Sequence, residues 1–177
     1  MRVLAVNPGS SSLKLSLLGS GAEPLASAEL DAPRARLDAD ALREALAGPL
    51  GGADAIGFRV VHGGERFRDP VVIDDAVIAA LRELTELAPL HQQRSLAAID
   101  AVRGALGAVP AVACFDTAFH ATLAPAAATY ALPEAWRERW RIRRYGFHGL
   151  SHAWVARHAP QIAGRAIDAI AARSRCR

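Results

Sequence analysis

A strand, a short polar turn and a second strand occupy residues 1–18, and whatever this chain folds into must begin with that unit. Arg2-Val3-Leu4-Ala5-Val6 is an apolar run, Asn7-Pro8-Gly9-Ser10-Ser11-Ser12 is a turn, and Leu13-Lys14-Leu15-Ser16-Leu17-Leu18 opens as apolar/polar alternation. Alternation at period two predicts a half-buried strand, so the simplest reading is a β-hairpin. Gly and Ser leave the backbone N–H groups and hydroxyls of the turn free to face an anion. The competing reading is an ordinary Ser-rich hairpin. This is not a Walker loop, which needs Gly-Lys-Ser/Thr opening a helix. Lys14 is the single lysine, and the other 20 of the 21 basic residues are Arg. One ammonium kept in so Arg-rich a chain points to a need for a compact point charge rather than a planar fork.

Further along, strands give way to alternating helices and strands. Leu25 to Leu30 reads as a third strand. Ala41 to Leu46 reads as a helix capped by Asp38 or Asp40. Ala55 to Val61 is the next strand and runs into His62-Gly63-Gly64, and residues 65–74 read as loop. Val77, Leu81, Leu84 and Leu87 recur at helical spacing, which predicts a helix from Ala76 to Leu87 capped by Asp74 or Asp75. Pro89 breaks it, and a second helix is expected from Arg94 to Leu106. Ala111 to Phe115 is a buried strand, with Cys114 a buried thiol inside it. Pro133 suits the first turn of a short helix around Trp136 to Trp140. A turn at Tyr145-Gly146-Phe147-His148-Gly149 precedes a helix that starts at Ser151 or His152 and reaches His158, and residues 161–172 read as helical. This order predicts an α/β fold with helices against a sheet.

Four clusters lie at strand ends or glycine turns, where open α/β sheets place ligands. In Arg59-Val60-Val61-His62, alternation puts Arg59 and Val61 on one face and Val60 and His62 on the other. Arg59 can hold a small carboxylate with two prongs, or sit in a surface ion pair. His91, in Ala88-Pro89-Leu90-His91, is either a site residue or a structural one. Asp116, delivered by the buried strand, is either functional or a cap for the next turn. His148 and His152 are spaced i, i+4, as zinc ligands can be, but no Glu lies between them and no third ligand is evident.

The 51% hydrophobic content of 177 residues supports a sizeable core in about one domain. The net charge of +3 conceals a basic end, +7 over residues 134–177 against −4 before it. No aromatic stacking pattern or nucleic-acid motif accompanies that charge, so no nucleic-acid partner is expected. Two cysteines make no disulfide scaffold. Neither a membrane-length apolar run nor a signal-peptide core is present, which points to a soluble, cytoplasmic chain with no membrane partner.

Asn7-x-Gly9-Ser10-Ser11-Ser12-x-Lys14, Arg59-Val60-Val61-His62-Gly63-Gly64, Pro89-Leu90-His91, Phe115-Asp116-Thr117-Ala118-Phe119-His120 and Tyr145-Gly146-Phe147-His148-Gly149 occur in the order seen in the acetate kinase (acetokinase) family, which this chain resembles. The resemblance implies the N-terminal domain of the sugar kinase/Hsc70/actin, ribonuclease H-like fold, a mixed sheet with flanking helices. It implies phosphoryl transfer from ATP to acetate or another short-chain carboxylate such as propionate, with Mg2+ as cofactor and a homodimer in the intact family. By the same resemblance, Asp116 and His148 are the catalytic candidates. Ser10, Ser12 and Lys14 would bind the ATP phosphates, and Asn7 the metal. Arg59, Val61, Leu90, His91 and Phe147 would bind substrate, with Val61 and Leu90 forming a small apolar wall. The family assigns the Asp a proton-transfer role. A short carboxylic acid, with a pKa of roughly 4–5, is already ionised at neutral pH, so Asp116 would rather hold a magnesium-bound water or orient Arg59.

Three departures stand in this chain: Phe58 where the family has His, Gln92-Gln93 after Leu90-His91 where it has Asn-Pro, and Leu150 where Thr is common. The resemblance spans residues 1–158 as an N-terminal acetokinase domain. Residues 159–177 are then expected to be a divergent or truncated tail, with the C-terminal nucleotide-binding domain expected to be absent. The expected outcomes are a weakly active or inactive kinase half, or a non-catalytic interaction domain.

Overall fold

The fold is described by a computed structural model, over residues 1–33 and 36–164. Its centre is a six-stranded sheet in the order β3-β2-β1-β4-β6-β5. β1 (Val3–Pro8), β2 (Ser12–Leu18) and β3 (Pro24–Asp31) form an antiparallel meander, so the predicted hairpin is present. β4 (Ala55–Val60) lies parallel to β1, and β6 (Ala111–Phe115) parallel to β4. The short β5 (Val71–Val72) pairs antiparallel with β6 and closes the far edge.

Alternation along the strands sorts side chains onto two faces. Leu4, Val6, Leu13, Leu15, Leu17, Ile56, Phe58, Val60, Ala113 and Phe115 are buried on one of them. Three helices pack on that face, α1 (Ala39–Ala47), α2 (Asp75–Glu83) and α3 (Pro89–Leu106), and Leu50, Phe67 and Ile73 join the core from the connections. Two aspartates start these helices by accepting orphan backbone N–H groups. Asp38 caps α1 by accepting from Asp40 and Ala41, and Asp74 caps α2 by accepting from Val77. Buried Gln92 of α3 donates to the Leu81 carbonyl at 3.0 Å and ties α3 to α2.

Several boundaries differ from the sequence reading. The stretch 65–74 is not all loop, because Val71–Val72 joins the sheet. α2 ends at Glu83, and Leu84–Leu87 continue it as a 3-10 turn. α3 begins at Pro89 rather than Arg94. A proline lacks only an N–H that a first helical turn leaves unpaired anyway, so it starts this helix as well as stopping the one before. Leu90 and His91 therefore lie in an opening turn, not a closing one. Cys114 is only partly buried, because β6 turns it away from the helices.

Beyond β6 come a 3-10 turn (Asp116–His120), α4 (Pro125–Ala128), α5 (Glu134–Arg139) and α6 (Gly149–Ala163). α6 starts before Ser151 and runs past His158, with Pro160 inside it. Of the helix expected over 161–172, residues 161–163 close α6 and residue 164 caps it, and the rest lies outside the described residues, as does Cys176.

Candidate functional site

The second face of the sheet carries a polar row. Asn7 pairs with Lys14 across β1 and β2, and Lys14 with Glu29 across β2 and β3. On the other side of β1, Arg59 lies one residue beyond the Val6–Phe58 pair. Glu29, Lys14, Asn7 and Arg59 thus sit on four adjacent strands at the same level, and Asp116 follows at the end of β6. The row is a product of register: Lys14, Asn7 and Arg59 each lie one residue from a buried apolar neighbour, and a slip of one would turn them to the helix-covered face.

Arg59 is the centre of the row. Its Nε and Nη2 donate to Asp116 Oδ2 at 3.1 and 2.7 Å, and its Nη1 donates to Asn7 Oδ1 at 3.1 Å. The Asp116 side chain is 1% exposed, while that of Arg59 is 27% exposed. A carboxylate so deeply placed needs its partner, because an isolated buried charge is costly. Three of the five guanidinium N–H donors are used. One N–H on Nη1 and one on Nη2 remain without a partner among the described residues.

The turn that carries His148 is locked against the same strand end. A Cβ on Gly149 would lie 1.8 Å from the Asp116 carbonyl oxygen and 2.7 Å from Phe119 Cβ, so only glycine allows this approach. His148 itself is exposed and left-handed, at φ 54° and ψ 26°, and its carbonyl accepts from the N–H of His152 at 2.9 Å. Such a backbone costs a non-glycine residue of order 1 kcal/mol or more, and it persists only where the surroundings enforce it. The enforcement is visible. His120 Nε2 donates to the Phe147 carbonyl at 3.0 Å, and Gly146 packs so closely on the His120 ring that a Cβ would sit 2.2 Å from it.

His62 supports this turn from below. It is 2% exposed, with its ring 4.5 Å from that of Tyr145 and 5.8 Å from that of Phe147. Its Nδ1 accepts from the Gly64 N–H at 2.9 Å, and burial lowers its pKa, so the ring is neutral. Thr117 Oγ1 accepts from the Gly63 N–H at 2.9 Å and joins the β4 and β6 ends. Neither His62 nor Thr117 is a candidate on sequence grounds. The signal for His62 was its place in the alternation, on the buried side with Val60.

The Ser-rich turn is closed on itself by a bond from the Gly9 N–H to the Ser12 carbonyl at 2.7 Å. Ser10 is exposed. Ser12 Oγ donates to Glu29 Oε1 at 2.6 Å, and Lys14 Nζ lies 3.9 Å from the same oxygen. A carboxylate of the chain's own thus sits against the hydroxyl and ammonium read as an anion cradle. Glu29 was missed because its place follows from cross-strand register, not from any local motif.

Leu90, at 70% exposure, and His91 both face solvent. α3 runs back toward the start of β6, so its first turn lies at the same end of the sheet as Arg59 and Asp116. Among the described residues, however, no hydrogen bond or ion pair joins His91 to that cluster. Val61 is half-buried and Phe147 exposed. The structure therefore brings Asn7, Arg59 and Asp116 together directly, and His148 next to them through the backbone.

Asn7 and Asp116 offer hard oxygens of the kind magnesium takes. Both are engaged by Arg59, and the described residues hold no group of three or more His, Cys, Asp or Glu able to cage a metal. The set fits an ion that arrives with phosphate oxygens, not one held by the protein alone. The same finding removes the zinc reading of His148 and His152 among these residues. No helix of the described residues is long and apolar enough to cross a membrane.

The family model described as "Acetokinase family" matches residues 36–173. The chain is 52% identical over 116 residues to the acetate kinase of Deinococcus deserti, covering 66% of this chain and 29% of that one. Among solved structures, the acetate kinase of Porphyromonas gingivalis is similar with a TM-score of 0.78 and 32% identity, over 94% of this chain and 50% of that one. A propionate kinase from Francisella tularensis has a TM-score of 0.81 and 30% identity, over 93% of this chain and 49% of that one. The chain spans half or less of the length of these relatives. The family model leaves out the hairpin, whereas the structural likenesses span nearly all of the chain, and they share its mixed sheet with flanking helices.

Proposed function

The chain belongs to the acetokinase family, and from that premise we propose that it carries the carboxylate half of a site for phosphoryl transfer between ATP and a short carboxylate such as acetate. The observation that supports this most is the Arg59 guanidinium, aimed by Asp116 and Asn7 with two donors to spare. Two parallel N–H bonds are what a carboxylate accepts best. Val61, two residues on from Arg59 and just past the end of β4, would meet the methyl group.

In this reading Asp116 orients Arg59 and takes no proton, since the acceptor carboxylate is already ionised. Phosphoryl transfer spreads negative charge over the equatorial oxygens, so it is favoured by fixed positive charge and hydrogen-bond donors. His148, Lys14 and Ser12 are the groups proposed to supply them, with Ser10 at the mouth of the turn. Magnesium, entering with ATP, would neutralise phosphate charge, and Asn7 and the carboxylate of Asp116 are the residues that would help hold it. Exposed Leu90 does not close over an acyl group, so propionate is proposed as a substrate alongside acetate. We assign carboxylate binding to the 177-residue polypeptide by itself, with acyl phosphate formed slowly or not at all.

Acetate titration followed by NMR tests the assignment. Saturable shifts at Arg59, Val61 and Gly149 are expected, and they should vanish in Arg59→Gln. Shifts that survive that change, or that appear elsewhere on the fold, would overturn it. An ATP-dependent hydroxamate assay on the pure chain tests the turnover claim, which a rate near that of a full-length kinase would refute.

A further inference from the structure

A second cluster of charge lies outside the Arg59 site. A shallow, open cleft separates the loop after β4 from the segment that leads into the His148 turn. Arg68 and Glu65 line one side, Arg143, Arg144 and Tyr145 the other, and His120 the floor. Three arginines and one glutamate thus line it. Glu65 satisfies only part of this charge, through its 3.0 Å ion pair with Arg143 Nη1.

The donors of the cleft are under-used. Arg143 Nε is buried and donates to no acceptor among the described residues. A buried donor without a partner calls for an explanation, because such groups are rare in folded proteins. Arg68 donates to the Glu65 carbonyl through Nε, which leaves its two terminal nitrogens to solvent. The Arg144 guanidinium lies 5.2 Å over the Tyr130 ring, stacked rather than ion-paired. A cation over a ring is held by the ring's face and keeps its N–H donors unused.

We propose that this cleft is a binding site for a small, doubly charged oxyanion, distinct from the carboxylate site at Arg59. The excess of two positive charges matches a phosphate-like dianion better than a monocarboxylate. Guanidinium forks take such oxygens in pairs, and the terminal nitrogens of exposed Arg68 are open to do so. The position gives the site a consequence. Tyr145 lines the cleft and stacks edge-on against His62, and His120 lines it and holds the Phe147 carbonyl. An anion bridging Arg68 to Arg143 and Arg144 would pin the loop after β4 to the turn that presents His148.

Inorganic phosphate titrated into the 177-residue chain at constant ionic strength tests this by NMR of backbone amides and arginine Nε–H groups. One saturable response is expected, centred on Arg143 Nε, His120 and Tyr145 and reaching Gly149. Arg68→Gln and Arg144→Gln should each weaken it about tenfold, as loss of a charge-assisted bond does. Both side chains are exposed, so neither change threatens the fold, whereas removing Arg143 would break its ion pair. Arg59→Gln should leave the response intact, which separates this proposal from the carboxylate assignment. A response that tracks Arg59 and ignores Arg68 and Arg144 would overturn it. So would a linear, non-saturating drift equal to that caused by chloride.

Discussion

The two faces of the central sheet are built from the same strands and obey different rules. On the helix-covered face, Leu4, Val6, Phe58, Val60 and Phe115 are shut away from water by α1, α2 and α3. Any one of them is held by many weak contacts. On the open face, Asn7, Lys14, Arg59 and Asp116 are each held by one or two polar partners. Stability is pooled on the first face and itemised on the second. That division lets a family of kinases keep a sheet while arranging charge on its exposed side, one residue out of phase with the core.

The comparison is broken most forcefully from the covered side. Phe58→Ala should cost about 3–5 kcal/mol, as buried aromatic truncations do, and urea unfolding would show it. The same position carries His in the pattern this chain resembles, yet Phe58 is 1% exposed and points away from Arg59. A loss well under 2 kcal/mol would mean the covered face is looser than its burial implies.

Next in size is Arg59→Ala, expected to cost about 3 kcal/mol or more because it strands the buried Asp116 carboxylate. Arg59→Ala combined with Asp116→Ala should recover a large part of that loss, since the double change removes the orphaned charge as well. Equal instability of the single and double variants would show that the pair is not the unit described here. Gly149→Ala follows, at about 1–3 kcal/mol for forcing a methyl group onto the Asp116 carbonyl. Its effect should be local: hydrogen exchange of α6 rises, while the strands β1, β2 and β4 stay protected.

How much of this could be read from the chain depends on distance along it. Strands and helices declared themselves by periodicity, because each needs only its own neighbours. Val71–Val72 did not, since a two-residue strand has no period, and Pro89 was ambiguous because the same ring ends one helix and starts the next. The site residues were legible as types in motifs. Their pairings were not, because Arg59 meets Asp116 across 57 residues of chain and Asn7 across 52. Glu29 was invisible for a related reason: nothing in Ala28-Glu29-Leu30 says that it will face Ser12 and Lys14 until the register of β2 and β3 is known. His148 gave no warning of its left-handed backbone, although the glycine beside it marked a close approach.

A smaller effect comes from pH, through His62 behind the His148 turn. Burial lowers its pKa in the folded chain, so the unfolded chain binds the proton more readily. Stability from this group is fully present above the unfolded value near 6.5. It falls as pH drops from there toward the folded value, by at most about 1.4 kcal/mol per unit. Protonation would also turn Nδ1 into a donor and break its bond from the Gly64 N–H. Urea midpoints measured from pH 8 down to pH 5 should therefore fall more steeply for the native chain than for His62→Gln. Parallel slopes would mean that the imidazole is not neutral in the fold. Glu65 and Arg143, charged neighbours of Tyr145, are present in both proteins, so their own contribution cancels in the difference.

The smallest change in stability should come from Glu29→Gln, and it bears on the open face most sharply. Glu29 and Lys14 are each more than half exposed, and such pairs contribute about 0–1 kcal/mol. Their importance is instead for occupancy. If Ser12 and Lys14 form an anion cradle, Glu29 is a tethered competitor for it, and a phosphate must displace that carboxylate to bind. Gln keeps an acceptor for the Ser12 hydroxyl but no longer neutralises the ammonium. Affinity for Mg·ATP, measured by calorimetry, should rise about fivefold, the equivalent of one exposed ion pair. Lys14→Ala should abolish the gain when added to Glu29→Gln. An affinity that Glu29→Gln leaves untouched would instead make the hairpin a plain cross-strand pairing of Ser, Lys and Glu, and would move the phosphates away from the first turn of the chain.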